Sequence, residues 1–221
     1  MKRTKRSLVV MLLSGLVACG GGGGDGSGGG GPLTIFQLPV FLDLADCLVD
    51  SLEDTDGVLD ELIDTLAQAT YDPMTGEFQF NVGPLTVQGV VEGAGGADLS
   101  DGFQIGETAN VSAQLSGSQN GQVNLAVTRT SAILLEIGGV VTATNAGGCL
   151  VQLDQIDFEV DPTQPDRDYS GSLVYGVSDT DSLTGTITYA AGSNAAVTAS
   201  LNGGDTVSFS LDVSNFSFLF N

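Results

Sequence analysis

The chain has 221 residues, with six lysines and arginines against 27 aspartates and glutamates, and it contains neither histidine nor tryptophan. A formal net charge of −21 excludes a nucleic-acid-binding protein, because recognition of the phosphate backbone depends on clustered cations. The lack of histidine excludes Ser-His-Asp and Cys-His catalysis and the usual zinc sites.

The N-terminus has the order of an export signal. Basic residues at positions 2–6 precede an apolar run at 8–17, which is too short to span a bilayer, and the tetrapeptide Leu16-Val17-Ala18-Cys19 follows. Residues 1–20 resemble the signal peptide and lipobox of bacterial lipoproteins. The resemblance implies that residues 1–18 are a signal peptide removed on export, and that Cys19 carries palmitate or similar acyl chains as a lipid anchor.

The residue after the cysteine bears on the destination. Gly20 stands where an inner-membrane retention signal has aspartate, so the resemblance implies the bacterial outer membrane, with the protein facing the periplasm or the cell surface. The alternative is an uncleaved anchor or an ordinary cleavable signal in which Cys19 stays a thiol. Residues 19–31 are almost all glycine after the cysteine and predict a flexible tether with a span of roughly 20 Å.

Cleavage before Cys19 changes the charge. Arg129 and Arg167 then remain as the two basic residues against 27 carboxylates, which gives a formal charge of about −25. Such a surface disfavours docking on anionic lipid head groups and is typical of a solvated acidic exterior. The membrane is therefore predicted to be reached through the lipid anchor.

Cys47 and Cys149 are the two cysteines left after lipidation. An even number in an oxidising compartment predicts a disulfide bond, which would close a loop of about 100 residues and contribute roughly 4–5 kcal/mol in the chain-entropy model. Two buried free thiols are the alternative.

Residues 32–221 are predicted to form a single domain, whose first part, residues 32–72, is helical. Apolar residues recur at helical spacing in two groups, Leu44, Leu48 and Leu52, then Leu59, Leu62, Ile63 and Leu66. Residues 54–57, with the sequence Asp-Thr-Asp-Gly, predict a break between two short helices.

Residues 73–221 alternate apolar and polar side chains, which predicts about ten short β-strands. The fold class is therefore mainly β (α+β): an antiparallel meander, curled or barrel-like, with the two helices packed on it. Asn120-Gly121 predicts a hairpin turn, and Gly138-Gly139 a tight turn between buried strands. The apolar residues have odd numbers before Ser214-Asn215 and even numbers after it, which predicts a bulge or turn there.

No cofactor is predicted; calcium is the ion that the carboxylates could bind, because hard cations take clustered oxygen ligands. The candidate ligands are Asp161, Asp166 and Asp168 in one loop and Asp179 and Asp181 in a compact turn. Residues 54–57 resemble a fragment of an EF-hand loop but lack its first and twelfth ligands. Turn formation and helix capping explain each segment without a metal.

These features predict a noncatalytic lipoprotein that acts as an interaction module of the envelope or surface, with a protein as one candidate partner. A carrier is the first alternative, with an apolar ligand held inside the curled sheet by residues near Ile133 and the Phe-rich C-terminus. A carboxylate-based glycosidase is a more distant alternative, since paired carboxylates can cleave glycosidic bonds. The sequence assigns no catalytic residue and no oligomeric state.

Overall fold

The structure is a computed structural model and describes residues 37–96, 99, 102–161, 169–189, 194–204 and 206–212. Several expectations lie outside these residues: lipidation of Cys19, the tether, the calcium candidates Asp166 and Asp168, and the register change at Ser214-Asn215. Within the described residues there is one α-helix, α1 (Leu38–Ala67), followed by a sheet of ten strands.

The strands follow one another in the sheet in chain order, and every neighbouring pair is antiparallel. They are β1 (Glu77–Val82), β2 (Leu85–Gly93), β3 (Thr108–Ser116), β4 (Gln119–Arg129), β5 (Leu135–Asn145), β6 (Leu150–Val160), β7 (Tyr169–Ser178), β8 (Ser182–Tyr189), β9 (Asn194–Leu201) and β10 (Thr206–Asp212). The predicted antiparallel, mainly β fold is confirmed. Because successive side chains point to opposite faces, the period of two in the sequence becomes one buried and one exposed face.

The predicted pair of short helices is wrong, because α1 runs without a break through residues 54–57. Thr55 and Asp56 are buried, so the buried face of α1 continues through residues 54–57. Gly57 is required for packing and does not end the helix: a Cβ built there would lie 2.5 Å from Cγ1 of Val82. Its missing side chain lets α1 approach the end of β1.

The helix has a wide apolar face that forms much of the core. Pro39 suits the first turn, where a missing N–H costs nothing, and the helix ends where Ala69 takes a φ of 50°. The helix contacts β1 and also β5 to β8. Its buried apolar residues are Phe41, Leu44, Ala45, Cys47, Leu48, Leu52, Val58, Leu59, Leu62, Ile63 and Leu66. Among the described residues, no helix is both long and apolar enough to span a membrane.

The predicted hairpin is present between β3 and β4, but its turn does not lie at Asn120-Gly121. The turn lies at Gly117-Ser118, and Asn120 and Gly121 belong to β4. Gly117 supplies the positive φ of 124° at this turn, whereas Gly121 is paired with Leu115 inside the ladder. The local turn preference of Asn-Gly is overridden by packing between strands.

Gly138-Gly139 is not a tight turn either. Both residues lie in β5, which is continuous from Leu135 to Asn145, and its register with β6 shifts between Gly139 and Val141. The pair marks a β-bulge, which bends the strand without ending it.

Candidate functional site

The predicted disulfide bond is present between Cys47 and Cys149. The two Cα atoms are 6.6 Å apart, and the bond joins the first half of α1 to the residue before β6 across 102 positions of sequence. The side chain of Asn145 organises this corner: its Oδ1 accepts hydrogen bonds from the N–H groups of Gly147 and Cys149, at 2.9 and 3.1 Å. Its Nδ2 faces the sulfur of Cys47 at 3.6 Å.

A second polar contact ties α1 to the turn before β4. Gln119 is only 4% exposed, and its Oε1 accepts a long 3.5 Å hydrogen bond from Ser51. The hydroxyl of Ser118 donates to Asp54 at 3.4 Å. Asp54, which lies within α1, therefore takes part in a contact between the helix and the turn.

The structure separates the calcium candidates that it describes. Asp161 follows β6, whereas Asp179 and Asp181 lie in the turn between β7 and β8, at the other end of the sheet. The carboxylate of Asp181 accepts a 2.7 Å hydrogen bond from Asn202, whose Oδ1 accepts another from the N–H of Ser182 at 2.8 Å. These contacts join two neighbouring turns. Within the described ranges, no three acidic or cysteine side chains come close enough together to hold a metal ion.

The outer face of the sheet carries a feature that the sequence reasoning missed. Four glutamines lie directly opposite one another on neighbouring strands: Gln79 in β1, Gln88 in β2, Gln114 in β3 and Gln122 in β4. All four side chains are exposed, and in the described part of the chain none of them hydrogen-bonds to another protein group. We call these four residues the glutamine row.

A second set of facing residues runs beside the glutamine row, two positions along each strand. It consists of Glu77, Val90, Ser112 and Asn124 on β1 to β4. Between the two sets lies an open groove of about 720 Å³. The side chains that line this amide groove on the outer face are those of Asp72, Glu77, Gln79, Gln88, Val90, Ser112, Gln114 and Asn124.

The charge at the amide groove is purely negative. Among the described residues the one basic side chain is Arg129, and its guanidinium donates to the carbonyl oxygens of Phe103 and Ala132 at 2.6 and 3.4 Å, away from the groove. The N–H groups of Met74 and Thr75 donate to Asp72, which lowers the pKa of that carboxyl below its usual value. Asp72 is therefore ionised under ordinary conditions and fixes the turn at one end of the groove.

The arrangement can make many neutral hydrogen bonds. An amide side chain provides both an acceptor and two donors without carrying charge, so the groove can bind a polar ligand. The signal in the sequence was glutamine at solvent-facing positions of successive strands, which takes on meaning only when the strand register is known. No protein-family model matches the chain, and neither a curated protein nor a solved structure is significantly similar to it.

Proposed function

We propose that this chain is a noncatalytic lipoprotein, held in the outer membrane by acyl chains on Cys19, whose domain acts as an interaction module of the envelope or cell surface. The order of the N-terminal segments supports export and anchoring, since two or more acyl chains give stable attachment. The Cys47–Cys149 bond is in keeping with an oxidising compartment.

The observation that carries the interaction role is the contrast between the two faces of the sheet. The inner face is covered by the apolar side of α1, where Leu52, Leu59 and Ile63 are almost completely buried. The outer face carries the glutamine row and the amide groove, whose amides have no partner among the described residues. A ligand is therefore expected to bind from outside the domain.

The carrier alternative has less support. The apolar space that it requires inside the sheet is the space that α1 fills. A cavity of about 170 Å³ beside the end of α1, lined in part by Ala67, Phe103 and Leu135, is smaller than the roughly 300–1,000 Å³ of ordinary ligand pockets. Ile133, which the carrier hypothesis places on the ligand, is 54% exposed at a turn.

The anchoring half of the proposal is tested by Cys19→Ala, with Ser27→Ala in the tether as the control that keeps all three cysteines. We expect the wild-type protein and the control in the outer-membrane fraction, with intact masses that lack residues 1–18 and include acyl groups. Cys19→Ala should be absent from that fraction. An unacylated wild-type protein, or one that retains Met1, would refute the anchor.

The interaction half is tested by placing a photo-crosslinking residue at Gln114 in the amide groove or at Thr184, which is exposed on the outer face of β8. Crosslinks to an envelope component in intact cells at Gln114, and few at Thr184, would support an interaction module that uses this face. Equal crosslinking at both positions would count against this role. A lipid that copurifies in native mass spectrometry would favour the carrier instead.

A further inference from the structure

We infer that the amide groove is a binding site for a neutral, hydroxyl-rich glycan chain. This inference rests on the proposed interaction role and names the chemical class of its partner. Its first basis is the hydrogen-bonding capacity of the groove. Gln79, Gln88 and Gln114 each present an acceptor and two donors, and each is free of other described partners. Sugar hydroxyl groups are likewise both donors and acceptors, so an amide row matches them in either direction.

Charge narrows the class of ligand. The charged groups that line the groove are the carboxylates of Asp72 and Glu77, and the only described basic residue, Arg129, is bound elsewhere. An anionic polymer, whether a nucleic acid, a sulfated glycan or a phosphate-bearing lipid, would bring like charge to these carboxylates and to an acidic domain. Neutral sugars escape this repulsion, and their hydroxyl groups can donate hydrogen bonds to the carboxylates.

The shape of the groove suits an extended chain. The two rows of side chains are two residues apart along each strand, or about 7 Å, and the groove crosses three strand spacings, or about 14 Å. It is open to solvent and has a volume of about 720 Å³. Val90 lies among the amides as an apolar surface, against which the C–H groups of a sugar ring can pack. An open groove that crosses strands binds a segment of polymer more readily than it encloses a small molecule.

The test is calorimetry of the full-length lipoprotein in detergent with short oligomers of glucose and of N-acetylglucosamine, and with sulfated and cationic oligomers of similar length. We expect at least one neutral oligomer to bind, with an affinity that salt changes little. In the double variant Gln88→Ala/Gln114→Ala, the Kd should rise about tenfold or more, because two or more hydrogen bonds are lost.

Gln152→Ala is the matched control. Gln152 is an exposed glutamine on β6, its Nε2 donates to Asp154 at 2.6 Å, and it does not line the groove. Its substitution should leave the Kd unchanged. Both variants alter exposed side chains, so unchanged thermal unfolding is expected for each.

Three results would overturn the inference: no neutral oligomer binds, the groove variant binds as well as the control, or only the cationic oligomer binds and salt abolishes it. In each case an acylated protein that crosslinks through Gln114 would leave the proposed interaction role standing. An unacylated protein would refute the anchoring proposal whatever the glycan result.

Discussion

The ring of Tyr175 covers Gly185 on the neighbouring strand: a Cβ built on the glycine would lie 2.7 Å from the tyrosine oxygen. The hydroxyl reaches one strand further and donates to the carbonyl oxygen of Thr198 at 2.8 Å. Four other large side chains also face a glycine across the ladder, in the pairs Phe78–Gly89, Leu115–Gly121, Leu125–Gly139 and Phe158–Gly171. A Cβ on Gly139 would lie 3.1 Å from Cδ2 of Leu125, and one on Gly171 would lie 3.0 Å from Cδ1 of Phe158, so the absent side chain gives these two residues room.

Gly185→Ala is expected to destabilise the protein by about 1–3 kcal/mol, because the new methyl group would collide with Tyr175 and with the backbone carbonyl of Thr198. Gly176→Ala is the control. A Cβ at Gly176 meets nothing within 4 Å, so this variant should be neutral or slightly more stable. Urea unfolding of both variants measures the difference. Equal stability of the two would contradict the packing role of Gly185.

The buried phenol of Tyr175 is expected to make the folded protein less stable at high pH. Burial raises the pKa of its phenol above the ordinary value of about 10. Below pH 10 the phenol keeps its proton in both the folded protein and the unfolded chain. Above it, the unfolded chain releases the proton that the folded protein retains, so the free energy of unfolding falls by up to about 1.4 kcal/mol per pH unit. Urea titrations between about pH 9 and pH 11 measure this slope.

Tyr175→Phe isolates the contribution of this phenol. The variant should be less stable near neutral pH by about 1 kcal/mol, since the hydrogen bond to Thr198 is lost. Its alkaline slope should be shallower than that of the wild type. A variant with the same slope as the wild type would show that other groups cause the alkaline loss.

The regular parts of this fold could be predicted from the sequence because burial imposes a period. The alternation in Val123, Leu125 and Val127 specified a strand, and the spacing of Leu44, Leu48 and Leu52 specified a helix. The glycines were assigned wrongly, because the sequence shows their local preference for turns. In the structure they instead make room for residues of neighbouring elements. Gly57, Gly121 and Gly139 stand where a neighbour approaches too closely for a side chain, and that neighbour is distant in sequence.

The amide groove could not be predicted from the sequence for the same reason. Gln79 and Gln88 are symmetric about the Gly83-Pro84 turn, but Gln114 meets Gln122 only if the next turn is centred near Ser118. A turn at Asn120-Gly121 would have set Val127 opposite Gln114. With a wrongly placed turn the four glutamines would no longer face one another, since every pairing in a meander depends on the exact turn position.

The disulfide bond is expected to contribute about 4–5 kcal/mol, because it closes a loop of 102 positions in the unfolded chain. Reduction should therefore lower the urea midpoint strongly. The double variant Cys47→Ser/Cys149→Ser should have the low midpoint whether or not reductant is present. If reductant does not change the wild-type midpoint while mass spectrometry confirms reduction, the bond contributes little to stability.

Gly57→Ala separates helix propensity from packing. In an isolated helix, alanine is more favourable than glycine by about 1 kcal/mol. Here the added Cβ would lie 2.5 Å from Cγ1 of Val82, a β-branched side chain with restricted χ1, so the helix or β1 must shift. We expect the single variant to be destabilised by about 1 kcal/mol or more despite the better propensity.

Val82→Ala removes the colliding methyl group and completes a double-mutant cycle. In its background, Gly57→Ala should become neutral or stabilising, because only the propensity difference remains. The coupling energy from urea unfolding of the four proteins is therefore expected to be at least about 1 kcal/mol. Additive effects would mean that α1 does not pack closely on β1, and that the unbroken helix through residues 54–57 needs another explanation.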